Sequence, residues 1–401
     1  MIEIKTATYQ RSTFALALGS FIVFCNLYML QPMLPLMAIK FNASAIEINW
    51  LFAACTLTLA LTLVPWAISS EAIGRRNVMM LSLFLLPFAG LAMLLTDSLL
   101  MLTLARGFMG IALAGFTAVA VAYMAEEFTP KALMMAVGSY ISANSLGGIA
   151  GRLYGGFATQ YWGWELAVIG MAIFSLLGAL LVNWLLPEQQ HFTPKKGQLR
   201  AHNRQVFNHL KQPELWCAMA IGGVNFALFV NLYTIMGFRL VAPPYSLSIS
   251  LTSMIFLCYL SGTVTAKLSG RWSQTYSPIS GMVLGTTVSA LGMWVAAFNS
   301  LHAMAIGLLL ISSGAFFTHS LAYTWVSHTA KTAKATATAL YLVHYYVGGS
   351  LGGFYLVACW QYGKWSGVLV GGMLLYGLIY LLCWRLHRCN HSLHTQKIIV
   401  K

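Results

Sequence analysis

An all-α membrane protein of twelve transmembrane helices in two pseudo-symmetric six-helix bundles is the fold class this sequence predicts. Three observations predict it. Hydrophobic residues make up 59% of the 401 residues and charged residues 8%, with a mean hydropathy of +0.73. A soluble chain of this length needs far more charge to cover its surface. Apolar runs long enough to cross a bilayer, about 20 residues each at 1.5 Å rise, occur twelve times. The chain also repeats itself at an offset of 201 residues: Gly147-Gly148 falls on Gly348-Gly349, Gly151 on Gly352, Gln160-Tyr161 on Gln361-Tyr362 and Trp164 on Trp365. Near the start of each half, Asn26-Leu27-Tyr28 recurs as Asn231-Leu232-Tyr233. A duplicated apolar chain is the signature of secondary transporters, in which two similar bundles face each other across a substrate path.

The runs, in order, are 14–38, 46–68, 77–96, 99–123, 132–158 and 164–186 in the first half. In the second they are 214–239, 248–269, 278–298, 301–325, 335–359 and 364–386. Backbone groups in hydrocarbon must find partners within their own segment, and runs this long exclude a barrel, so each run is a helix. The first is too long, and too interrupted by Pro32 and Pro35, for a cleaved signal peptide, so it reads as a retained span. A basic stretch from Pro187 to Gln212 joins the halves. The predicted organisation is therefore a bundle over 1–188, a cytoplasmic linker over 189–212 and a second bundle over 213–401.

Net charge is +14, and its placement points away from nucleic acid. With the N-terminus inside, cytoplasmic segments hold Lys5, Arg11, Arg75, Arg76, Lys131, Lys195, Lys196, Arg200, Arg204, Lys211, Arg271, Lys331, Lys334, Arg385, Arg388, Lys397 and Lys401, while Lys40, Lys364 and, at a helix edge, Arg239 fall outside. This is the positive-inside bias; it predicts a multi-pass protein with both termini cytoplasmic. The seven cysteines have no metal-ligand spacing and carry no disulfide argument. No nucleophile with a nearby base and no metal cluster supports an enzyme, and no soluble signalling domain supports a sensor.

Between the second and third runs lies Ala67-Ile-Ser-Ser-Glu71-Ala-Ile-Gly74-Arg75-Arg76. It resembles the cytoplasmic loop signature of the major facilitator superfamily, with Ala67 where the first Gly usually stands and Glu71 replacing Asp. Gly74 permits a sharp turn, and a carboxylate with a guanidinium forms a charge-assisted latch, here expected between Glu71 and Arg76. The second-half equivalent, Gly270 to Ser277, has Gln274 in place of the acid. In the fourth run, Arg106-Gly-Phe-Met-Gly110 resembles the superfamily's Arg-x-x-x-Gly signature. An intramembrane arginine costs about 3 kcal/mol on insertion scales, so Arg106 is expected to face the bundle interior and bond carbonyls or polar groups such as Asn26 or Gln31. It either couples protons or substrate, or pins two helices.

The fifth run carries Gly138, Gly147, Gly151, Gly155 and Gly156 at the spacing of the superfamily's antiporter signature. Glycines four apart make a smooth ridge that lets another backbone approach. The resemblance implies exchange or efflux, and a contact with the eighth span or its surroundings that seals one side. Arg152 stands where that signature has Pro, and is read either as snorkelling to water or as lining the cavity for an anionic group.

Of the nine acids none lies mid-span, and none follows Glu214. The candidates for a coupling proton are therefore His319 and His344, with Glu126 at the end of the fourth run. Tyr341 and Tyr345 supply nearby hydroxyls and ring faces. Asn26, Tyr28 and Gln31, Asn144, and Asn231 and Tyr233 lie where inner helices of this fold line the cavity, or else they bond between helices. The resemblance implies a bacterial inner-membrane transporter of the twelve-span drug/proton antiporter branch, including arabinose-efflux-type permeases. It implies alternating access around a small-molecule substrate, with the lipid bilayer as surroundings, no metal and no cofactor, the proton gradient as energy source, and a monomer. An organic-anion exchanger or facilitator without proton coupling is the alternative.

Overall fold

The computed structural model describes residues 1–194 and 199–399, with side chains described outside 199–203, 335 and 390–399. Lys195, Lys196 and Lys401, all part of the predicted charge bias, and residues 195–198 of the predicted 189–212 linker lie outside the described residues.

Span one begins where the Thr6 hydroxyl accepts the Tyr9 N–H, and runs as an α-helix over Ala7–Tyr28. Pro32 and Pro35 lack the N–H an α-helix needs, so the chain tightens into a 3₁₀ turn at Gln31–Met33 before a short helix, Leu34–Lys40. Span two, Ala45–Ile73, opens on a capping box in which Ser44 and Glu47 satisfy each other's backbone N–H groups. Span three, Arg75–Ala92, follows after a single residue, Gly74, at φ 101°. The expected loop over 67–76 is thus two helix ends meeting at one glycine. The positive φ, which only glycine adopts cheaply, lets span two run five residues further and span three start two residues earlier than hydropathy alone suggests.

Span four is Leu99–Glu127. The next helix, Pro130–Leu185, is 56 residues long, or about 84 Å if straight, against a hydrocarbon core of about 30 Å. It breaks at Gly163 (φ 86°), giving spans five and six. A linker helix, Leu199–Leu210, precedes span seven, Pro213–Val241. Span eight is built from Ile249–Ser253, Met254–Cys258 and Tyr259–Thr275. Spans nine and ten are Pro278–Val295 and Leu301–Thr329. The last helix, Lys334–Ile399, breaks at Lys364 (φ 50°, ψ −148°) into spans eleven and twelve. Among the described residues, ten continuous apolar stretches, two of them broken, account for the twelve predicted spans. The other regular structure among those residues is a 3₁₀ turn at Met93–Leu95, after span three, and a bridge between Ile2 and Phe128.

The two breaks obey the sequence repeat, since Gly163 falls on Lys364. The first half meets the unusual backbone with glycine; the second holds a lysine there, in a region that costs a side-chain-bearing residue about 1–3 kcal/mol. Lys364→Gly is therefore expected to raise the thermal midpoint in detergent, a gain of about 1 kcal/mol. An unchanged or lower midpoint would show that the lysine side chain, which lies 5.6 Å from the Trp360 ring centroid, offsets the strain.

The chain packs as two units, residues 1–198 with 237–254, and residues 199–236 with 255–401.

Candidate functional site

In the first unit the start of span three gathers charge. The Arg75 guanidinium donates to Glu126 (3.1 Å from Nε), to the Ser70 hydroxyl (2.5 Å) and to the Ala67 carbonyl (3.2 Å). It also lies 3.8 Å from Glu71. The latch is therefore Glu71–Arg75–Glu126 and not Glu71–Arg76. Gly74 (φ 101°) ends span two and Arg75 opens the next helix, so the turn at that glycine, and not a shared helix face, brings the guanidinium to Glu71. Arg76 points elsewhere and donates to Leu186 O (3.1 Å) and to the Asn183 carbonyl and side-chain oxygens (2.8 and 3.0 Å), closing the end of span six. Glu126, expected as a candidate proton carrier, is drawn into this ion-pair network, where it also accepts from Gln189.

The next acid, Glu127, holds the first residues after span six. Its carboxylate accepts the N–H groups of Gln190 and His191 at 2.9 Å each and meets His191 Nδ1 at 3.0 Å. The Tyr123 hydroxyl donates to Pro187 O, and Gln189 Oε1 accepts the Arg76 N–H. Residues 186–192 thus form a strap over the ends of spans three and four. Neither Glu127 nor the strap was singled out in the sequence, although two adjacent acids at a helix end were its available signal.

Arg106 is fully buried and donates to Leu51 O (3.1 Å), Asn26 O (3.2 Å) and Leu27 O (3.0 Å), with Met109 Sδ at 2.8 Å. Span one stops being α-helical at Tyr28, so the carbonyls of its last turn lose their usual acceptance partners. Arg106 supplies donors to them and serves as a side-chain cap. The expected bonds to carbonyls are present; Gln31, named as a possible partner, pairs with Arg152 instead.

Gly147, Gly151 and Gly155 form one seam against span one. A Cβ at Gly147 would lie 2.5 Å from Phe21 O, one at Gly151 2.5 Å from Cys25 O, and one at Gly155 would collide with Met29 O. Both helices advance four residues per contact, so the ridges stay in register. This corrects the expected partner. The seam meets span one; Gly156, about 100° round the helix, is the glycine that meets span eight, at Ser253 and Ile249 O. Gly138, the first glycine of the spacing, faces open space.

Arg152 is 1% exposed, which rules out the snorkelling reading. Its Nε donates to Gln31 Oε1 (2.6 Å), its Nη1 to Gly148 O (2.8 Å), and its guanidinium lies 3.7 Å from the Tyr28 ring centroid. Tyr28, Gln31 and Arg152 are therefore one cluster, a cation on an aromatic face. Asn26 is not part of it: its amide donates to Ile22 O (2.9 Å) and Ser175 Oγ (2.8 Å), bracing span one on span six. Asn144 accepts the Ser20 hydroxyl.

The second unit repeats part of this plan. Asn231 donates to Ala227 O and Gly349 O, both at 2.8 Å, the same one-turn back-bond that Asn26 makes. A Cβ at Gly348 would collide with Gly223 and one at Gly352 with Ala227, so span eleven lies on span seven as span five lies on span one. Tyr233 is fully buried, donates to Leu308 O (2.9 Å) and packs among Phe229, Phe256 and Tyr259. Asn231 and Tyr233 hold helices together here. His319 and Tyr341 come together, Nδ1 to hydroxyl at 2.9 Å. The Tyr345 ring lies 4.5 Å from the His319 ring and stacks on Phe226 at 3.9 Å. His344 turns its Nδ1 back to Leu340 O at 2.8 Å on its own helix, apart from that group. Among the described residues no group of three His, Cys, Asp or Glu converges as a metal site.

The sequence profile of the Major Facilitator Superfamily matches residues 16–353. The chain belongs to that superfamily. It is 32% identical over 391 residues to the inner membrane transport protein YnfM of Escherichia coli (strain K12), covering 98% of this chain and 94% of that one. It is 30% identical over 377 residues to the MFS-type transporter YybF of Bacillus subtilis (strain 168), covering 94% and 93%. The fold is shared with the crystal structure of a bacterial homologue of the human lysosomal transporter Spinster (TM-score 0.77, 15% identity, 96% and 98% covered). It is shared too with the human organic anion transporter MFSD10 (TM-score 0.70, 16% identity, 94% and 99% covered). The protein is a multi-pass membrane transporter and not an enzyme.

Within this superfamily member, two of the first unit's buried cations have different duties. Arg106 spends its donors on backbone, whereas Arg152 lies on an aromatic ring beside an amide. The second unit offers a histidine bonded to a buried phenol.

Proposed function

We propose that this transporter exports a small molecule by alternating access in exchange for protons, as a monomer in the bacterial inner membrane with both termini cytoplasmic. The observation that supports it most is the seam of Gly147, Gly151 and Gly155 on span one: the spacing that resembles the superfamily's antiporter signature is a continuous backbone-to-backbone contact. A helix pair so closely packed moves as one body, which alternating access requires. The latch Glu71–Arg75–Glu126 adds a charged clasp in the same unit and biases one access state. With no acid mid-span, the titrating group is assigned to His319, whose Nδ1 lies 2.9 Å from the Tyr341 hydroxyl. The decisive measurement is substrate-triggered proton movement in proteoliposomes carrying a pH dye, with pooled sugars, lipophilic cations and organic anions offered in turn. Transport of a solute with no proton movement would overturn the antiport reading.

One observation favours the alternative, an organic-anion exchanger or facilitator: the buried Arg152 on the Tyr28 face. Under that reading Arg152→Ala lowers organic-anion transport at least tenfold while membrane abundance holds. Equal loss of abundance and transport would assign Arg152 to folding instead.

A further inference from the structure

The second unit carries a cationic end with an apolar stripe leading to it. Lys364 marks the start of span twelve, and Arg385 lies 21 residues on, about 31 Å along a helix, which matches the hydrocarbon thickness. Arg385 and Arg388 therefore stand at the level of the headgroups. Each lies against an exposed indole: Arg385 is 5.9 Å from the Trp216 ring centroid on span seven, and Arg388 is 3.9 Å from that of Trp384. Leu374, Leu378 and Leu381, all exposed, continue the same face of span twelve toward mid-membrane at three- and four-residue spacing.

Charge in this unit is one-sided. Glu214 is the last acid in the chain and the only one after residue 198, and it sits in the first turn of span seven, where the helix N-terminus already favours a carboxylate. Among the described residues no carboxylate lies within ion-pair distance of Arg385 or Arg388. Lys211, exposed and two residues before span seven, adds a third cation at the same level. Two guanidiniums with fixed forks suit a phosphate diester, indoles favour the glycerol level, and an apolar stripe one leaflet long suits an acyl chain.

We propose that this edge of spans seven and twelve binds an anionic diacyl phospholipid, its phosphate at Arg385 and Arg388 and one chain along Leu381, Leu378 and Leu374. The site is independent of the transport reading above. The test uses the full-length protein in phosphatidylcholine vesicles, comparing association of spin-labelled phosphatidylglycerol with that of spin-labelled phosphatidylcholine. The wild type is expected to prefer phosphatidylglycerol about 25-fold. Each arginine removed is expected to lower that preference about fivefold, so Arg385→Gln with Arg388→Gln reaches parity. Arg385→Lys with Arg388→Lys keeps most of the preference, since the charges remain. Equal association of both lipids with the wild type overturns the proposal whatever the variants do. An undiminished preference in the double glutamine variant, or in Arg388→Gln alone should the double variant fail to reach the membrane, overturns it as well.

Discussion

Gly151→Val is expected to abolish transport and to lower the thermal midpoint sharply, while Gly138→Val on the same helix leaves both unchanged. At Gly151 even a Cβ meets Cys25 O at 2.5 Å and Cys25 Cα at 2.6 Å. These are backbone atoms of a regular helix and cannot rotate aside. Spans one and five must part, and because Gly147 and Gly155 share the register, their contacts with Phe21 and Met29 loosen together. Overpacking of a well-packed site costs about 1–3 kcal/mol, and this clash opens a whole seam, so the upper end is expected. Gly138 has nothing within 4 Å, so the same side chain enters free space there. Purified variants compared by thermal unfolding and by proteoliposome transport decide the matter. Equal behaviour of the two would mean that glycine in span five matters for flexibility and not for close approach.

The second large effect is at Arg106. Arg106→Leu leaves two carbonyls at the end of span one, Asn26 and Leu27, without their donor in a buried site, and takes a second donor from Leu51 O, which keeps its partner inside the helix of span two. An orphaned buried acceptor costs about 1–3 kcal/mol; some of this is recovered because a guanidinium is no longer desolvated. A net loss of about 3 kcal/mol is expected, with Arg106→Lys intermediate, since one ammonium cannot span carbonyls on two helices. Hydrogen exchange at residues 26–31 should quicken in both variants, because the broken end of span one loses its cap. Full stability with loss of proton coupling would instead make Arg106 a proton-path residue.

Much of the fold was legible because hydropathy and repetition are one-dimensional. Spans are runs of a known length, and the short gaps after residues 158 and 359 fall beside the places where two long helices break. The need of Arg106 for carbonyls followed from cost alone. Partner choice was less legible. Asn26 and Asn231 read equally as cavity amides or as braces, and only the register of their neighbours, Ser175 in one unit and Gly349 in the other, decides for bracing. Sequence alone presents 67–76 as a loop, where spacing implies no geometry and Arg76 serves the latch as well as Arg75. Because the two helices reach to either side of Gly74, the turn at that glycine sets Arg75 beside Glu71 and sends Arg76 to the end of span six. The strap escaped notice because its bonds run from a polar linker, whose composition reads as solvated, to an acid 64 residues earlier in the chain.

That strap has a practical meaning for anyone who would express the two halves of this transporter as separate polypeptides. The point of division suggested by hydropathy, directly after span six, would leave Gln189, Gln190 and His191 on the wrong fragment and strip Glu126 and Glu127 of three backbone and side-chain donors. A fragment carried through Phe192 keeps its own fastening, so the natural seam for dividing the molecule lies beyond that residue, inside what looks from composition like spare connecting chain.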